Sequence, residues 1–93
     1  MTQITLYTKD YCPYCKQAKD LLRRKGVSFT EHDIQFSEDI VKEMVSRSGG
    51  RRTVPQIFIG ERHIGGASEL FELDRQGKLE ALLAPFIATA AIL

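Results

Sequence analysis

Hydrophobic and polar positions alternate from Ile4 to Thr8, a period of two among β-formers that predicts a strand. Pro13 suits the first turn of a helix, and Cys15, Ala18, Leu21 and Leu22 follow at helical spacing with Lys and Arg opposite. Gly26 supplies the stop. Val27 to Asp33 reads as a second strand, with Val27 and Phe29 on one face. Ser37 is the expected N-cap of a second helix, with Glu38 and Asp39 in its first turn and an apolar face of Ile40, Met44 and Val45. Gly49-Gly50 end it. Val54 to Ile59 is a β-rich run, Gly60-Glu61 a turn and Arg62 to Ile64 a short partner strand, which together make a hairpin. After Gly65-Gly66, Ser68 is the expected cap of a helix carrying Leu70, Phe71 and Leu73, closed by Gly77. Leu79, Leu82 and Leu83 open a last helix that Pro85 should end or kink. The tail from 86 to 93 is apolar and fits either packing on the sheet or disorder. The order β-α-β-α-β-β-α-α predicts an α/β fold: one four-stranded mixed sheet flanked by helices.

Length and composition narrow this further. Ninety-three residues suffice for one domain, 1–93, and 43% hydrophobic with 27% charged residues is ordinary globular usage rather than a disordered one. No apolar run reaches the roughly 20 residues that span a bilayer, and the first residues lack the basic and apolar pattern of a secretory signal. A cytoplasmic protein is therefore expected, with no membrane partner. A net charge of +1 argues against general nucleic-acid binding. The balance hides segregation, because residues 9–25 and 47–62 are basic and residues 31–43 acidic. These stretches are either solvated faces or basic groups converging on one anionic ligand; composition does not choose.

Candidate chemistry begins with Cys12-Pro13-Tyr14-Cys15, which holds both cysteines of the chain between a strand and a helix. A reactive cysteine needs its thiolate stabilised, and the unpaired N–H groups and dipole of a helix N-terminus do that. Cys12 lies at the helix mouth; Cys15, one turn in, is more shielded and faces back. Position thus makes Cys12 the nucleophile and Cys15 the resolver, with Lys9, Lys16 and Lys19 as sources of positive potential. Structural zinc needs four ligands, and His32 and His63 are not spaced as a second pair, so no metal is expected. Haem attachment needs His where Lys16 stands. Cys-x-x-Cys beside a βαβ pattern is instead a redox signature. In Thr53-Val54-Pro55, a cis proline would turn the Val54 backbone outward to pair with an extended ligand, although a plain edge-strand proline fits equally. Gly65-Gly66-Ala67-Ser68-Glu69 has the makings of a carboxylate site at a helix N-terminus, or merely of a turn.

Taken together, Tyr7-Thr8-Lys9 before Cys12-Pro13-Tyr14-Cys15, then Thr53-Val54-Pro55-Gln56-Ile57-Phe58-Ile59, then His63-Ile64-Gly65-Gly66 resemble a dithiol glutaredoxin from Ile4 to about Phe86. The resemblance implies a thioredoxin-like fold, a cis Pro55 and glutathione as reducing co-substrate. By position it implies a Cys12 that becomes glutathionylated and a resolving Cys15. Lys9 and Tyr14 would lie beside glutathione, Val54, next to Pro55, would pair with its cysteinyl backbone, and Ala67 and Ser68, after Gly66, would hold its γ-glutamyl carboxylate. Thr53, with Lys42 and Arg52 as secondary candidates, would face the glycyl end. Many relatives carry Cys and an acidic pair where this chain has Ala67-Ser68-Glu69; a backbone contact survives that change, whereas a salt bridge from position 68 does not. His32 and His63 are read as structural, Tyr7 as core, Tyr11 as site rim, and Phe29, Phe58 and Phe71 as core.

The expected function is a glutathione-dependent thiol-disulfide oxidoreductase acting on protein disulfides and glutathionylated proteins, a monomer recharged indirectly by the glutathione reductase system. Glutaredoxin potentials of roughly −200 to −230 mV lie close to the glutathione pool, so both directions are feasible. An alternative is a dimeric scaffold for an iron–sulfur cluster ligated by Cys12 and glutathione, against which the stiff Pro13 argues. A thioredoxin-type reductase fed by a flavoenzyme is disfavoured by the absence of Trp.

Overall fold

The computed structural model describes residues 3–86. Its elements are β1 (Ile4–Thr8), α1 (Pro13–Arg24), β2 (Thr30–Asp33), α2 (Glu38–Arg47), β3 (Gln56–Ile59), β4 (Arg62–Gly65), α3 (Ala67–Arg75) and α4 (Leu79–Leu83). The strands form one sheet in the order β2-β1-β3-β4. β1 runs parallel to β2, which the α1 crossover requires, and antiparallel to β3, pairing Ile4 with Ile59 and Tyr7 with Gln56. β3 and β4 form the expected hairpin, with a bulge opposite the Ile57–Phe58 step. This is the mixed four-stranded sheet that the order of elements predicts, and it agrees with the thioredoxin-like fold that the resemblance implies.

Because side chains alternate along a strand, the sheet buries two different surfaces. One face carries Ile4, Leu6, Ile57 and Ile59 and packs on Ala18, Leu21 and Leu22 of α1, Leu70 of α3, and Leu79 and Leu83 of α4. The other carries Tyr7 and Phe58 under Met44 of α2. Phe29 and Phe71 are only partly buried at the edge of the larger core, whereas Phe58 and Tyr7 are fully inside. Among the described residues no helix is long and apolar enough to cross a membrane.

Element boundaries depart from expectation at four places, each for a local reason. The second strand starts at Thr30 rather than Val27, because the Val27 N–H closes the end of α1 on the Leu22 carbonyl at 3.3 Å. Gly26, at φ +82°, makes that Schellman turn. A 3-10 turn over Ile34–Phe36, capped by the Asp33 carboxylate on the Gln35 N–H, precedes α2 and has no counterpart in the hydrophobic pattern. The third strand starts at Gln56, after Val54 and Pro55, since proline has no N–H for the ladder.

The fourth departure corrects the expected cap of α3. Ser68 does not cap it; Gly66 is the N-cap and Ser68 lies inside the first turn, exposed. The Glu69 carboxylate folds back to accept the Gly66 N–H at 2.6 Å, which starts the helix two residues early. Elsewhere Ser37 caps α2 as expected, accepting from Asp39 and Ile40. α4 passes into a 3-10 turn over Ala84–Phe86, where Pro85 stops the α-helix. Phe86 is half-buried against the larger core; the rest of the apolar tail lies outside the described residues.

Candidate functional site

Where β1 ends, the chain turns through Lys9, Asp10 and Tyr11 into α1. Tyr11 holds φ +40° with 87% of its surface exposed, and the Asp10 N–H donates to the Gln35 side chain at 2.6 Å. That turn sets Cys12 as the N-cap of α1, with Pro13 at the first helical position. The Cys12 sulfur accepts the Cys15 N–H at 3.3 Å, as a capping side chain does. Both cysteines are free thiols.

Their surroundings differ. Cys12 is half-exposed at the helix mouth, whereas Cys15 is 1% exposed beneath it. Burial, reinforced by the contact with Cys12, pushes the Cys15 thiol up to about 12, against the weaker pull of the Lys9 N–H and the Lys19 charge. Cys15 is therefore a protonated thiol at neutral pH. The arrangement suits an outer sulfur that attacks and an inner one that acts only after being engaged.

The second motif converges on the first. The Val54–Pro55 peptide is cis, and the Val54 carbonyl lies 3.9 Å from the Cys12 sulfur, close enough to accept its thiol hydrogen. The third motif abuts the second: a Cβ on Gly66 would stand 3.3 Å from the Pro55 carbonyl, so only glycine lets the start of α3 lie this close without displacement. Cys12, Val54, Pro55 and Gly66 thus form one continuous strip. Thr53 and Tyr14 flank it exposed, Tyr14 with 63% of its surface in solvent.

Other candidates stand further out. Lys9, Lys42 and Arg52 are exposed, and Lys9 has no ion-pair partner among the described residues. Lys16 is tied to Asp20 at 2.9 Å and Lys19 to Glu31 at 2.9 Å, where Thr8 also donates, so their charges are partly answered. Lys9, Lys16 and Lys19 line an open cleft of about 620 Å³ beside both cysteines. Ser68 lines a different groove with Arg62, His63 and Glu72. Ala67 is buried, leaving its backbone rather than its side chain to contribute.

Beneath the strip lies a polar layer in which His63 and Tyr7, expected as structural and core residues, are joined by groups not expected there. Gln56, fully buried, donates its amide to the Thr53 carbonyl at 3.0 Å and meets His63 at 2.7 Å. His63 stacks on Phe58, and burial with the Arg51 charge holds it below its ordinary range, so the ring is neutral at pH 7. On the same face the Tyr7 hydroxyl donates to Glu43 and accepts from Arg47, whose guanidinium lies 4.2 Å above the Phe58 ring. A glutamine within the otherwise apolar run from Val54 to Ile59 is the one signal the sequence offers for this layer. Among the described residues no group of three or more His, Cys, Asp or Glu side chains is placed to hold a metal ion.

A family model described as Glutaredoxin matches residues 4–64. The chain is 52% identical to Glutaredoxin 3 of Escherichia coli over 83 residues, 89% of this chain and 99% of that one. Among solved structures, glutaredoxin from Brucella melitensis superposes with a TM-score of 0.76 at 48% identity, covering 89% of each chain. A buckwheat glutaredoxin–glutathione complex superposes with a TM-score of 0.80 at 32% identity, covering 90% of this chain and 78% of the other.

Proposed function

The chain belongs to the glutaredoxin family of thiol-disulfide oxidoreductases, and from that premise we propose that it is a glutathione-dependent reductase of protein disulfides and glutathione mixed disulfides. One observation carries the reading: a half-exposed Cys12 sulfur at the mouth of α1, beside the Val54 carbonyl and above a buried, protonated Cys15. The glutathione-bound buckwheat relative supports the choice of thiol.

The Cys12 thiolate attacks the glutathione sulfur of a mixed disulfide. The old S–S bond breaks, the substrate leaves as a thiolate that takes up a proton, and Cys12 is left glutathionylated. A second glutathione thiolate attacks the glutathione sulfur, releasing oxidised glutathione and restoring Cys12. With a protein disulfide, Cys12 instead becomes bonded to the protein. Cys15 then loses its proton to the departing protein thiolate and closes Cys12–Cys15, which two glutathiones reopen.

Binding follows from backbone. Val54 lies outside the ladder, so its N–H and C=O suit the cysteinyl backbone of glutathione in the manner of an added strand. Glu69 occupies the Gly66 N–H, which leaves the N–H groups of Ala67 and Ser68 for the γ-glutamyl carboxylate. Lys9 and Tyr14 border the ligand, and Thr53, Arg52 and Lys42 face its glycyl end. The protein works as a monomeric single domain in the cytoplasm, with glutathione reductase keeping its co-substrate reduced.

The test is turnover of a glutathionylated peptide and of a protein disulfide by wild type and each cysteine variant. Cys12→Ser should abolish both activities. Cys15→Ser should keep most activity on the glutathionylated peptide and lose reduction of the protein disulfide. Equal losses from the two variants would show that the roles are wrongly assigned.

A further inference from the structure

We propose that Gln56, held in place by His63, is a positioning residue that aims the Val54 N–H at glutathione; the proposal rests on the binding mode set out above. Gln56 is fully buried, and both ends of its amide are engaged. The Nε2 group donates to the Thr53 carbonyl at 3.0 Å and reaches the Thr53 hydroxyl at 3.2 Å. Its Oε1 meets His63 Nε2 at 2.7 Å. Chemistry fixes the direction of this chain. A carbonyl can only accept, so the NH₂ end faces Thr53, the oxygen faces His63, and the imidazole must carry its proton on Nε2. His63 is in turn fixed against Phe58, ring on ring with centroids 4.8 Å apart.

The target of this chain is one peptide unit. The Thr53 carbonyl and the Val54 N–H belong to the same planar group, and among the described residues the only cis peptide is Val54–Pro55. In a trans peptide C=O and N–H point in opposite directions. Pulling the Thr53 carbonyl inward onto Gln56 therefore turns the Val54 N–H outward. The sheet ladder does not do this, because β3 pairs only from Gln56 onward. Without the amide, this plane is free to rotate, and the donor that meets the ligand is aimed only part of the time. The sulfur chemistry at Cys12 is left alone, since its cap on α1 does not involve Gln56 and the Val54 carbonyl beside it belongs to the next peptide unit, the one with Pro55.

The experiment compares Gln56→Met, His63→Phe and His63→Gln with wild type, each first shown to be folded by its thermal transition. KM and kcat are read on a glutathionylated peptide, and the alkylation rate of Cys12 by iodoacetamide is read alongside. Gln56→Met and His63→Phe should raise KM about tenfold, the loss of one well-placed hydrogen bond, with kcat and alkylation within about twofold of wild type. His63→Gln, which retains a donor, should recover most of the KM. A folded Gln56→Met with the wild-type KM overturns the proposal. Should Gln56→Met not fold, the two His63 variants decide: equal KM in both, whether raised or unchanged, overturns it. A parallel fall in kcat and alkylation does the same, since it would mark a general disturbance of the site. Wild-type protein that reduces a protein disulfide but not the glutathionylated peptide would instead refute the glutathione reading itself.

Discussion

Lys9 stands exposed between β1 and the Cys12 turn, and no carboxylate among the described residues answers its charge. Lys16, on the next turn, is already paired with Asp20. An exposed ion pair is worth at most about 1 kcal/mol and is screened by salt. Lys9→Ala should therefore raise KM for a glutathionylated peptide by up to about fivefold at low ionic strength, and by less at high ionic strength. Lys16→Ala should leave KM nearly unchanged. Steady-state kinetics at two salt concentrations would separate them, and equal effects would mean that the cleft acts only through its summed charge. Residues with distinctive chemistry were legible at this scale: two cysteines around a proline, a proline opening a strand, paired glycines before a helix. Gln56 was not, because a polar residue in a strand is read as facing water. Here β3 is buried on both faces, which only the assembled sheet reveals.

The start of α3 shows how a neighbouring side chain can override a good local signal. Ser68 has cap chemistry, yet Glu69 reaches back to Gly66 and wins. The close approach constrains the turn as well: Gly65 sits at φ +119°, and a Cβ there would fall 2.8 Å from the Glu69 carboxylate. The Gly66 N–H, helped by the Arg51 charge, holds Glu69 below its ordinary range. A carboxyl depressed in the folded state adds stability that is fully present above its unfolded value of about 4.3 and is lost as pH falls through the folded value. Glu69→Ala should cost about 1 kcal/mol at pH 7, the usual worth of a cap, and the deficit should shrink below pH 4. Glu69→Gln keeps the acceptor and should lose less. Urea unfolding at pH 7 and pH 3 measures both; a deficit that persists at pH 3 would place the effect in packing rather than charge. Other helix starts followed their signals because nothing nearby competed for the same N–H groups. Strand ends slipped by two or three residues wherever a helix turn or a proline claimed the flanking backbone.

On the scale of the whole molecule, among the described residues three helices cover one face of the sheet and a single helix the other. α2 fully buries only Met44, against Tyr7 and Phe58, while its Glu43 and Arg47 grip the Tyr7 hydroxyl. Removing a buried methionine side chain costs about 2–5 kcal/mol. Met44→Ala should show that loss in urea unfolding and should speed amide exchange in α2 well before α1. Uniform acceleration across both helices would mean that the two faces unfold as one unit. The layering was legible from the order of elements, whereas the division of labour between the faces depended on the strand order.

That order, β2-β1-β3-β4, places inside the sheet the strand that precedes the other three along the chain. On a ribosome, β1 acquires β2 as a neighbour once α1 and β2 have emerged. Its other edge, opposite Ile57 and Phe58, must wait about two dozen residues longer. At roughly 5–20 residues per second, Ile4 to Thr8 spend about 1–5 seconds as a strand with one open edge. Such an edge is a template for any other extended chain. For this protein the hazardous interval of translation is set by the arrival of β3, not by the length of the chain.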